Sequence, residues 1–73
     1  MKNDIQNLNS QRIIRRPEVE KLTGLARSTI YDLMKKRKFP KSIQISVRAI
    51  GWLEADITAF IEERISESRK GGE

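Results

Sequence analysis

Seventy-three residues without a single cysteine or histidine make one small domain, near the lower limit for a self-sufficient core and with no disulfide or thiolate–metal staple to help it. The missing histidine also removes the usual general base and zinc ligand, and no apolar run approaches the ~20 residues that span a bilayer. The net charge of +5 is laid out unevenly: Gln11 to Arg48 holds eleven Lys/Arg against three Asp/Glu, and Ala49 to Glu73 holds three against six, so a basic front and an acidic back suit a polyanion binder rather than an enzyme.

The carboxylates are scattered, no nucleophile has a visible base, and the chain is too small for a substantial pocket, so no catalytic residue, cofactor, metal site or small-molecule substrate is expected. With no signal peptide visible, the expected location is the cytoplasm.

Met1 to Ser10 is polar, aperiodic and carries three asparagines, which predicts a disordered arm. Lys2 is offset there by Asp4, a poor endowment for entering a minor groove. Arg12 to Arg16 reads as a short β-like segment before Pro17, which fits a first helical turn and pushes Arg16 towards extended backbone. Glu18 and Glu20 then complement the helix dipole. Arg15 and Arg16 either reach a phosphate or pair with these glutamates, and the second use is favoured.

Val19 and Leu22 share one face of a first helix, and Thr23-Gly24 supplies its stop. Ile30, Leu33 and Met34 then give the i, i+3, i+4 stripe of a second helix running from about Arg27 to Lys36. Two helices joined by a short glycine-containing turn form the helix-turn-helix pattern, whose second helix can lie in a DNA major groove. At 100° per residue Ser28, Asp32 and Lys35 point away from the apolar stripe, flanked by Tyr31 and Lys36, with Arg27 at the border. This side offers donors, cations and an aromatic to phosphates and base edges.

Lys35, Lys36 and Lys41 are candidates to neutralise phosphates, Ser28 and Thr29 to anchor the helix start, and Arg27, Tyr31 and Asp32 to meet base edges. Tyr31 serves equally well as a half-buried lid over the turn. Asp32 either reads a cytosine amine or orients Lys35 or Lys36. The run Lys35 to Lys38 is by itself compatible with a solvated helix end favoured by the dipole, and the preceding turn tips the reading towards DNA.

Phe39-Pro40 ends the helical stretch, with Phe39 as a core plug. Ser42 to Ser46 alternates with period two, and Ala49 to Trp52 follows a tight connection, which predicts a β-hairpin. Beside a helix-turn-helix such a hairpin is a wing, with Arg48 near its tip placed to touch DNA backbone or minor groove. Leu53 to Lys70 is the longest helix, striped by Ile57, Phe60, Ile61 and Ile65, acidic elsewhere through Glu62, Glu63 and Glu67, and stopped by Gly71-Gly72. It closes the core; use as a dimer contact stays open. The predicted core is Ile13, Val19, Leu22, Leu25, Ile30, Leu33, Met34, Phe39, Ile43, Ile45, Ile50, Trp52, Ile57, Phe60, Ile61 and Ile65.

Ile14-Arg15, Pro17-Glu18-Val19, Thr23-Gly24-Leu25, Arg27-Ser28-Thr29-Ile30-Tyr31, Phe39-Pro40-Lys41 and Arg48-Ala49-Ile50-Gly51-Trp52 together resemble the AlpA-type phage and prophage regulators, relatives of excisionases, from about Arg12 to Arg64. The predicted elements make a mainly α fold with a small β-hairpin, a winged helix-turn-helix over residues 11–70 with a flexible tail at 71–73, and the resemblance implies that it is MerR/excisionase-like. The same resemblance implies a sequence-specific DNA-binding transcriptional regulator of a mobile element, located with the nucleoid. Its partners would be double-stranded DNA, with RNA polymerase or an integrase and self-association on DNA as further ones. The alternatives are an architectural excisionase that bends DNA and, from another class, a protein-interaction module whose helix-turn-helix is vestigial.

Three positions depart from the family pattern. Ala26 stands where serine commonly caps the second helix, a loss of ~1 kcal/mol that leaves helix amides freer for a phosphate. Arg37 stands where glycine is usual, so a positive φ there would be strained. Ser46-Val47 replace glycines at the wing tip, and a β-branched valine predicts a different turn type and a different placement of Arg48.

Overall fold

A computed structural model describes residues 11–72, so the predicted arm Met1 to Ser10 lies outside the described residues. The chain runs β1 (Ile13–Ile14), α1 (Arg16–Thr23), α2 (Arg27–Lys35), β2 (Ile43–Ser46), β3 (Ala49–Leu53) and α3 (Glu54–Gly72). The three strands form one antiparallel sheet in the order β1-β3-β2. Among the described residues no helix is long and apolar enough to cross a membrane.

The sheet sits where it does because β3 is apolar on both faces. Trp52, opposite Ile14 in the register, is fully buried, as are Val19 of α1, Ile30 of α2 and Ile57 of α3. One side chain from every element except β2 therefore meets at a single centre. Phe39 completes it, edge-on to Trp52 (centroids 6.3 Å apart) and to Phe60 (4.8 Å), in the orientation aromatic quadrupoles favour. Leu25, Leu33, Met34, Ile50, Phe60 and Ile61 pack around this centre, half-buried.

On the outer face, Gly51 is where the strands close up. A Cβ there would lie 2.6 Å from Ile13 Cγ2, 2.8 Å from the Ile14 carbonyl oxygen and 2.9 Å from Ile45 Cδ1. Ile13 and Ile45 thus roof a backbone position that only glycine can fill.

This geometry corrects four members of the predicted core. Ile13 (41% exposed), Leu22 (43%), Ile45 (45%) and Ile65 (46%) are on the surface, and Ile14, omitted from that core, is buried. Side chains alternate along a strand, so with Ile14 facing inward Ile13 must face out. Ile45 lies on the outer side at a bulge between Gln44 and Ser46. Two-turn α1 has its inner contact satisfied by Val19, and Ile65 lies on a stretch of α3, Glu62 to Lys70, that is exposed throughout.

The helix bounds shift slightly as well. Arg15, not Arg16, is the extended residue (φ −97°, ψ 170°), and Arg16 already belongs to α1. Backbone helix passes through Gly71 to Gly72, because glycine lowers helix propensity without forbidding helical angles.

The arginines before α1 divide their duties. Arg16 pairs with Glu20 one turn on, as expected. Arg15 takes no glutamate; its Nε–H donates to the Ile50 carbonyl (3.0 Å), satisfying β3 just where two-residue β1 is too short to do so. Arg12 brackets the start of α3, its carbonyl accepting the Glu54 N–H (2.8 Å) and its guanidinium meeting the Glu54 carboxylate (3.1 Å).

Candidate nucleic-acid interface

The turn between α1 and α2 is built from three residues. Gly24 adopts the left-handed conformation (φ 76°) and its N–H donates to the Glu20 carbonyl (2.8 Å), closing α1. The Thr23 hydroxyl donates to the Val19 carbonyl (2.8 Å) and accepts the Leu25 N–H (3.2 Å), while half-buried Leu25 anchors the turn in the core. α2 then starts at Arg27 behind Ala26, which is extended (φ −78°, ψ 160°) and offers no side-chain cap.

With Ile30 fully buried and Leu33 and Met34 half-buried, the rest of α2 must face outward. Arg27, Ser28, Thr29, Tyr31, Asp32, Lys35 and the capping Lys36 are all exposed. Within this face the Arg27 guanidinium lies over the Tyr31 ring, 5.8 Å from its centroid, so the aromatic is a platform for a cation. Lys36 Nζ is 3.1 Å from Asp32 Oδ2, one turn back. Both partners are more than half exposed, so the pair contributes under ~1 kcal/mol and serves mainly to orient the lysine. Ser28, Tyr31, Asp32, Met34 and Lys35 line a shallow depression along the helix.

At the end of α2 the Lys38 N–H donates to the Leu33 carbonyl (2.8 Å) and the Arg37 N–H to the Met34 carbonyl (3.0 Å), the paired bonds of a Schellman closure. The motif needs a left-handed residue, and Arg37 supplies it at φ 59°. A side chain in that region costs about 1–2 kcal/mol relative to glycine, so the strain expected at this position is present.

The wing, β2 and β3, turns through Val47 and Arg48, both exposed, Val47 to 87%. Neither takes a positive φ, so the tip does not form the primed turn that glycines would allow. The Gln44 amide instead braces it, its Nε2–H donating to the Ser46 (3.1 Å) and Val47 (3.4 Å) carbonyls, and the bulge absorbs the mismatch. Lys41 stands exposed at the foot of the wing, just before β2, and Arg48 at its tip, both off α2. The Trp52 indole N–H donates to the Pro40 carbonyl (3.1 Å), tying the wing to the segment that leaves α2.

Sequence reasoning did not anticipate that Arg37 is exposed, because a helical wheel carried past Lys36 turns it inward, whereas the left-handed residue swings it to the exposed side. The signal was the glycine expected at that place. It also missed Gln44 as a brace, for which no local pattern gives notice.

Two helices meeting at a glycine-capped turn, with a three-stranded sheet whose hairpin follows the second helix in the chain, define a winged helix-turn-helix domain. The chain belongs to the AlpA family: the family model described as "Prophage CP4-57 regulatory protein (AlpA)" matches residues 12–65. It is 36% identical over 67 residues to "Uncharacterized protein ORF88" of Enterobacteria phage P4, covering 92% of this chain and 76% of that one. It is also 36% identical over 66 residues to the "DNA-binding transcriptional activator AlpA" of Escherichia coli K12, covering 82% of this chain and 94% of that protein. No solved structure matches.

Proposed function

We propose that this protein is a sequence-specific DNA-binding transcriptional regulator of a phage, prophage or related mobile element, acting in the cytoplasm on double-stranded DNA. The observation that carries the reading is the division of α2: Ile30 is fully buried while seven polar or charged neighbours, Arg27 to Lys36, stand exposed. The name of the Escherichia coli relative, a transcriptional activator, supports regulation over the architectural recombination reading, and the family's description is of a regulatory protein.

In this reading α2 enters the major groove. Lys35, Lys36 and Lys41 neutralise phosphates, and Ser28 and Thr29 anchor the helix start, where uncapped amides favour an anion. Arg27, held over Tyr31, is the first choice for a base edge, since a guanidinium pairs bidentately with guanine. Asp32 orients Lys36, which supports the second of its two expected roles. Arg48 brings the wing to the adjacent backbone or minor groove. Contact with RNA polymerase or an integrase, and self-association on DNA, would use surfaces away from α2, such as the acidic outer side of α3 at Glu62, Glu63 and Glu67.

Gel-shift titration over a salt series tests this. Binding weakens steeply with salt; Lys35→Ala weakens all sequences alike, and Arg27→Ala also relaxes sequence preference by about 1–3 kcal/mol at one base pair. If both variants bind as the parent does, α2 is not the reading element.

A further inference from the structure

Arg37 is the one described side chain held left-handed, at the exit of α2, where glycine would sit without cost. It is exposed, and among the described residues its guanidinium makes no ion pair. Two shallow depressions meet at it. One, towards the wing, is lined by Met34, Arg37, Phe39, Pro40, Lys41 and Ser42 and carries two cations and no carboxylate. The other, towards α3, sets Arg37, Lys38 and Arg64 against Asp56, Glu63 and Glu67, so its charges balance.

A phosphate strand crossing here is drawn to the wing side, where the cations have no carboxylate beside them, so Arg37 and Lys41 would grip it between them. Backbone held in a sparsely populated region at an exposed, charged position points to a task for the side chain. Resting on the DNA-binding reading above, we propose that Arg37 is a phosphate-binding residue, forming with Lys41 a clamp on the DNA backbone between α2 and the wing.

The two features of Arg37 separate in experiment. Arg37→Gly removes both the strain and the cation, whereas Arg37→Lys keeps the charge. Thermal melting and fluorescence anisotropy on a labelled mixed-sequence duplex across a salt series read the two effects; phosphate contacts ignore sequence, so no operator is needed. Arg37→Gly melts higher than the parent yet binds on the order of tenfold more weakly, and its log–log salt slope is shallower by about 0.9. Arg37→Lys retains the parental slope.

A glycine variant that keeps the parental affinity and slope overturns the clamp, whatever its melting temperature. In that case salt-sensitive binding by the parent leaves the regulator reading standing. A parent chain that shows no salt-sensitive binding removes that reading, and this inference with it.

Discussion

Of Gly24 and Gly51, Gly51 is the one with no room for a side chain. The nearest obstacle to a side chain there, Ile13 Cγ2, belongs to a group that can rotate, but the Ile14 carbonyl at 2.8 Å is backbone and paired across the sheet. Gly51→Ala must therefore push β1 from β3, and the overpacking should cost about 1–3 kcal/mol, read as a lower midpoint in urea denaturation. An unchanged midpoint would show that β1 can move without loss. The two neighbouring arginines, Arg15 and Arg16, illustrate how far single residues can be read. The i, i+4 spacing made the Arg16–Glu20 pair visible in advance. The bond from Arg15 to Ile50 spans 35 positions and leaves no local trace.

Elements were more legible than residues. α1, α2, the hairpin and α3 all follow from periodicity and from glycine or proline at their ends, to within about two residues, the usual uncertainty of helix bounds. β1 is too short to carry a period, so its pairing with β3, and with it the inward choice of Ile14 over Ile13, could not be read from sequence. The candidate site was legible for the same reason α2 was: burying one stripe of a helix dictates the opposite side. At the start of α2 the uncapped Ala26 leaves stability unused. Ala26→Ser should raise the unfolding free energy by ~1 kcal/mol, seen as a higher denaturation midpoint. If the new hydroxyl also weakens DNA binding by occupying the helix amides, those amides belong to the phosphate site; an unchanged affinity would assign them a purely structural part.

The molecule as a whole separates its charges along the chain, with cations concentrated before Arg48 and the acidic excess on α3. The distal part of α3 adds little to the fold, because every residue from Glu62 to Lys70 is exposed. Ending the chain after Ile65 should leave cooperative thermal melting in place, with stability changed by no more than about 0.5 kcal/mol. A broad or lost transition would mean that this stretch helps hold the body together. How the charge pattern serves assembly was not legible, since electrostatic sign identifies a polyanion partner but not its sequence.

The single indole bond from Trp52 to Pro40 acts as a rivet between the hairpin and the segment that leaves α2. If hairpin and helix both engage DNA as proposed, a hinge there would let them slide to suit any groove spacing; a rivet resists it, and the duplex would bend or twist to satisfy both. Bases lying between the two footprints would then be sorted by stiffness alone, with supple pyrimidine–purine steps preferred at positions no side chain touches.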